Sequence, residues 1–107
     1  MATSIIQYTS PTIPFTLNAN LGGAKIYVTF SQDNVVITKN AASVSFTDST
    51  TSFSIKLEQS ETARFSMNKS VEIQVNWIYV DGTRGATEAK IFPVLKNLLD
   101  KVLSYGS

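Results

Sequence analysis

Eight carboxylates, nine basic side chains, four tyrosines and one tryptophan are the groups in this 107-residue chain whose types could do chemistry. Histidine and cysteine are absent. A serine nucleophile needs a neighbouring base, most often histidine, so that route has no partner here. A zinc site would rest on carboxylates alone, a donor set that zinc rarely uses. The carboxylates are Asp33, Asp48, Glu58, Glu61, Glu72, Asp81, Glu88 and Asp100. Glycoside hydrolysis needs two such groups facing each other across a cleft. Most of these fall in turns or at outward strand positions, and their spacing requires no such pair. They read as solvated surface. The expectation is a non-enzymatic chain with no cofactor and no metal.

Other candidates reduce in the same way. Gly22-Gly23 lacks the Lys and Ser/Thr of a phosphate loop, and no helical pattern follows it, so it reads as a turn. Arg84, Lys90, Lys25 and Lys39 are few and interleaved with acids, which argues against nucleic-acid binding. Trp77 and Tyr79 share a face with Val71, Ile73 and Val75. Trp77 reads as a core aromatic, with a platform for sugars or bases as the alternative. Tyr27 points away from Ile26, Val28 and Phe30, and two readings stand: a surface contact, or packing beneath a terminal helix. Ile78 lies opposite Trp77 beside polar Asn76, a hint of a second covered surface.

The elements that must position these groups follow from the alternation of apolar residues. Ser4 to Tyr8 is a short edge strand. Thr12 to Leu17 puts Ile13, Phe15 and Leu17 on one face, and Pro14 removes a ladder donor, which places that strand at an edge. Lys25 to Ser31 alternates cleanly and pairs with Val35 to Thr38 across Gln32-Asp33-Asn34. Ser43 to Thr47 turns Val44 and Phe46 inward. Ser52 to Glu58 turns Phe53, Ile55 and Leu57 inward. Ser60 caps one helical turn that buries Phe65. Val71 to Val80 is the longest strand. Asp81-Gly82 is a hairpin signal that returns Gly85 to Phe92. From Val94 the period becomes helical. Leu95, Leu98, Leu99, Val102 and Leu103 form one stripe of a short amphipathic helix over 94–103, which either closes the open end of its own sandwich or packs on a neighbouring subunit.

These elements predict an all-β fold, an antiparallel sandwich of seven to eight strands with a short C-terminal helix, in a single domain over 1–107. Hydrophobic residues make up 43% and charged residues only 16%, with a net charge of +1. That balance argues against an anionic partner such as nucleic acid or a membrane surface. Met1-Ala2-Thr3-Ser4 shows no secretory signal, and no apolar run reaches the roughly 20 residues of a membrane span. The expectation is a soluble product made in the cytoplasm.

The run from Phe53 to Thr62, then Val71 to Trp77, then Asp81-Gly82, Ala86-Thr87 and Val94 resembles the N-terminal domain of phage baseplate upper proteins. That family comprises small Ig-like sandwiches of phages and prophages of Gram-positive bacteria. Leu57, Gln59, Glu61, Thr62, Gln74, Asp81, Gly82 and Thr87 stand at the matching places. The resemblance implies a virion protein that attaches to a larger assembly through other virion proteins, in a symmetric or homo-oligomeric arrangement. The candidate interface residues are Ile5, Ile6, Tyr27, Leu95, Leu98, Leu99, Val102 and Leu103. Two other functions are compatible with the sequence. One is a carbohydrate- or cell-surface-binding module using Tyr8, Tyr27, Tyr79 and Tyr105. The other is a small phage inhibitor of a host protein.

Overall fold

The computed structural model describes residues 4–87, 89–99 and 101–105, with the side chains of Ala42 and Ser43 left aside. Alternation translates directly into strands. β1 (Ile5–Ile6), β2 (Thr12–Leu17), β3 (Lys25–Gln32), β4 (Val35–Asn40) and β5 (Ala42–Phe46) are followed by β6 (Thr51–Lys56), the single turn α1 (Gln59–Thr62), β7 (Ser70–Ile78), β8 (Arg84–Ala86) and β9 (Lys90–Leu95). They form two sheets. The larger runs β1-β9-β7-β3-β4, with β8 also on β7, and the smaller runs β2-β6-β5. The molecule is an all-β sandwich.

The inward faces are the ones the apolar period selects. β3 buries Ile26, Val28 and Phe30, β7 buries Val71, Ile73 and Val75, and β6 buries Phe53 and Ile55. These interlock with Ile13 and Phe15 of β2 into one core. Phe15 and Phe53 are cross-strand partners whose rings stack at 5.2 Å between centroids. Such a pair contributes about 0.5–1.5 kcal/mol beyond the area it buries.

Two polar side chains inside the sandwich close its loops. The Thr62 hydroxyl donates to the Thr9 carbonyl at 2.7 Å and accepts from the Thr9 N–H at 3.1 Å. The Thr51 hydroxyl donates to the Ala19 carbonyl at 2.7 Å and accepts from the Leu21 N–H at 2.9 Å. Each hydroxyl spans a loop and pairs backbone groups there, the buried Leu21 N–H among them.

Four expectations are corrected. The helix over 94–103 is not formed among the described residues. Val94 and Leu95 belong to β9, where Ile5 pairs with Val94 and Ile6 with Leu95 in parallel. The stretch left beyond β9 is too short for a self-supporting helix. There the Asn97 side chain accepts from the Leu99 N–H at 3.0 Å, a local turn that competes with helical bonding. The turn α1 is capped by Glu58 rather than Ser60, through a reciprocal box with Glu61. Phe46 is 54% exposed rather than inward. Register shifts between Ala42 and Ser45, which breaks the alternation. The Phe46 ring lies over Gly22, where an added Cβ would fall 2.7 Å from it. Finally, the strand expected over Gly85 to Phe92 is two strands. Asn76 pairs with Ala86 but Ile73 with Lys90, so four steps on the return strand oppose three on β7. That extra residue is a bulge. Thr87 stitches it, with its N–H on the Val75 carbonyl at 2.9 Å and its hydroxyl accepting from the Val75 N–H at 3.2 Å.

Candidate interaction surfaces

The carboxylates do not converge among the described residues. Asp33 meets Lys69 at 2.8 Å on the exposed surface. Glu61 is used structurally, because one of its oxygens accepts from the Glu58 N–H at 2.7 Å and meets Lys39 Nζ at 2.6 Å. Asp81 sits in the hairpin turn, where the Thr83 N–H donates to it at 2.8 Å. The Thr83 backbone and then side-chain hydrogen bonds hold its carboxyl below the ordinary value of 3.8. Glu88 and Asp100 lie outside the described residues. No group of three or more Asp or Glu residues that could hold a metal ion occurs among the described residues.

The expected aromatic sites separate. Trp77 is half-buried at the margin of the core, and its indole lies across Gly85, where an added Cβ would fall 2.5 Å from the ring. Tyr79 follows the end of β7 and donates from its hydroxyl to the Asn20 carbonyl at 3.2 Å. Tyr27 stands on the outer face of the larger sheet, directly across from Asn76. Of its two readings, packing beneath a terminal helix falls with the helix.

The proposed interface residues divide by face. Ile5 is fully buried in the core, and Ile6 points outward beside Leu95. Leu98 is 92% exposed, while Ile6, Leu95, Leu99, Val102 and Leu103 lie between 42% and 56%. Ile91 on β9 is also exposed. The 96–105 segment is held on the body by polar contacts. The Asn97 side-chain amide donates to the Gln7 carbonyl at 3.0 Å. Gln59 grips the Leu103 backbone twice: its Nε2 donates to the Leu103 carbonyl at 3.0 Å, and its Oε1 accepts from the Leu103 N–H at 2.8 Å. Backbone and amide contacts therefore anchor the segment and leave its leucines outward.

The sheet margins are guarded. β2 carries Pro14, β5 is irregular, and β1 spans two residues. β4 turns Lys39 toward the interior, where it pairs with Glu61 of α1. A proline, a bulge, a short strand and an inward charge are the devices that discourage edge-to-edge pairing. Strand addition at Ser4 to Tyr8 has only two strand residues to build on, so exposed side chains rather than bare backbone are what the surface offers a partner.

Sequence reasoning missed the glutamine contacts and a depression around Tyr27 and Arg84. The first joins α1 to a segment far along the chain and the second depends on cross-strand register, and no local pattern encodes either. The only local signals were Tyr27 and Ile78 at outward positions of their strands. No family model matches the chain, and no curated protein or solved structure is detectably similar to it.

Proposed function

We propose that this protein is a non-enzymatic structural or adaptor component of a bacteriophage particle, an Ig-like sandwich module that joins a larger assembly through protein–protein contacts. The observation that supports this most is the apolar segment. Leu98, Leu99, Val102 and Leu103 present half or more of their surface to solvent while hydrogen bonds hold the segment in place. Large apolar side chains gathered on a soluble surface mark interaction sites. Fully burying an exposed leucine contributes about 1.5–3 kcal/mol, so Leu98 offers the most on docking, and the other side chains, already about half-buried, each offer roughly half of that. The partner is another virion protein or a further copy of this chain, repeated by the symmetry of the particle. The phage assignment rests on the resemblance of Phe53 to Val94 to the baseplate upper protein family. Mass spectrometry of purified particles tests it. The reading expects the chain at a fixed copy number, and its absence from the particles overturns the reading.

A further inference from the structure

The outer face of the larger sheet carries a second surface, independent of the apolar segment and built by strand register. Tyr27 of β3 stands across from Asn76 of β7, which stands across from Ala86 of β8. In the next row Lys25, Ile78 and Arg84 align across the same three strands. On the other side Thr38, Thr29 and Gln74 form a row of their own. The result is an open depression of about 380 Å³ whose lining includes Tyr27, Thr29, Asn76, Ile78 and Arg84. Ala86 closes the central row with a methyl group, so no long side chain from that position fills the space.

The polar chemistry of this lining has a direction. Arg84 Nη2 donates to Asn76 Oδ1 at 3.2 Å. A guanidinium only donates, so the contact fixes the amide: its oxygen is engaged and its NH₂ remains to donate. The remaining guanidinium N–H groups are donors as well. No described carboxylate lines the depression, and Lys25 adds a second positive charge in the Arg84 row. What faces a ligand is one tyrosine ring, one aliphatic side chain, hydroxyls, and an excess of N–H donors. A cation finds no charged acceptor there. A sugar ring offers an apolar face to tyrosine and hydroxyls to threonine and asparagine, and a carboxylate matches the planar guanidinium fork.

We propose that this depression binds an oligosaccharide bearing carboxylate groups, with Tyr27 under a pyranose ring and Arg84, supported by Asn76, on the carboxylate. Binding is read by isothermal titration calorimetry, because the Trp77 indole packs on the inner side of the sheet over Gly85 rather than into the depression.

The experiment titrates the full chain with tetragalacturonate, with maltotetraose as the neutral counterpart, and with a single-stranded oligodeoxynucleotide as a polyanion of another class. Tetragalacturonate is expected to give a saturable change that the other two do not match. Tyr27→Ala is expected to weaken binding about tenfold, the scale of one lost ring contact. Arg84→Gln is expected to erase the preference over maltotetraose. Both positions face outward, and an unchanged Tm verifies the fold. Should either variant unfold, Asn76→Asp keeps the shape and the acceptor for Arg84 while placing a negative charge in the depression, and is expected to abolish the signal. No saturable change with tetragalacturonate, equal affinity for either comparison probe, or full affinity in these variants overturns the proposal. None of these results bears on assembly through the apolar segment.

Discussion

Gln32 and Ser66, 34 residues apart in sequence, hold each other by two hydrogen bonds: Gln32 Nε2 donates to the Ser66 carbonyl at 3.0 Å, and the Ser66 N–H donates to Gln32 Oε1 at 2.5 Å. The side-chain amide acts as a strand partner for a loop that no strand reaches. Gln32 is 5% exposed, so its amide is withdrawn from water and satisfied by the backbone of the exposed Ser66. Replacing it by an apolar residue of similar length leaves the Ser66 N–H and carbonyl without their partner. Gln32→Met is expected to destabilise the fold by about 2 kcal/mol, read as a lower urea midpoint at unchanged slope. An unchanged midpoint would show that the pair contributes nothing net.

Gly85 is required by the indole above it rather than by a backbone conformation. A Cβ there would lie 2.5 Å from Trp77. Gly85→Ala forces the half-buried ring to move, at a cost of about 1–3 kcal/mol. The displaced indole gains solvent, so its emission shifts to the red along with a lower Tm. A wild-type emission maximum and Tm in this variant would remove the steric account.

Asp81 gives the hairpin a pH dependence of known sign. Its folded pKa lies below 3.8 because the charged form accepts from Thr83. The unfolded chain binds the proton more readily, so the contribution is present above about pH 4 and is lost as the pH falls through the lower folded value. The side chain is fully exposed. Nuclear magnetic resonance titration of the Asp81 carboxyl is expected to give a midpoint below 3.8, returning to the ordinary value when Thr83 is replaced by proline, which has no N–H to donate. A midpoint of 3.8 or higher in the native chain would contradict this.

Gln59 anchors the 96–105 segment, and its removal separates anchoring from folding. Gln59→Ala deletes both hydrogen bonds to Leu103 at an exposed site. Global stability is expected to fall by about 1 kcal/mol or less. The amide of Leu103 is expected to exchange with solvent much faster, while the β3 and β7 amides keep their protection. Equal protection at Leu103 in both proteins would mean that something other than Gln59 holds the segment.

Much of the fold was legible because inward positions repeat every second residue. Ile26, Val28 and Phe30, and likewise Phe53, Ile55 and Leu57, are buried as their alternation requires. The Asp81-Gly82 turn and the edge position of Pro14 were equally readable from local chemistry. The segment after Val94 was not. Leu95, Leu98, Leu99, Val102 and Leu103 have helical spacing, yet Val94 and Leu95 pair with β1, and Val94 also bonds the backbone of Asn68 and Lys69, instead of starting a helix. Phe46 failed for a related reason, since a register shift moves a side chain to the other face without altering the sequence pattern. The Tyr27 depression needed three strands in register before its residues met. The pairing of Tyr27 with Asn76 spans 49 positions and leaves no trace in either segment alone.

Assembly through the apolar segment is open to a direct test. Leu98→Ser, Leu99→Ser and Val102→Ser combined replace outward side chains and leave the Gln59–Leu103 contacts in place. Counting chain copies in purified particles, for this variant and for the native protein, measures assembly directly. A fixed copy number is expected for the native chain and none for the variant, with an unchanged Tm. Incorporation of the variant at the native copy number would contradict assembly through this segment.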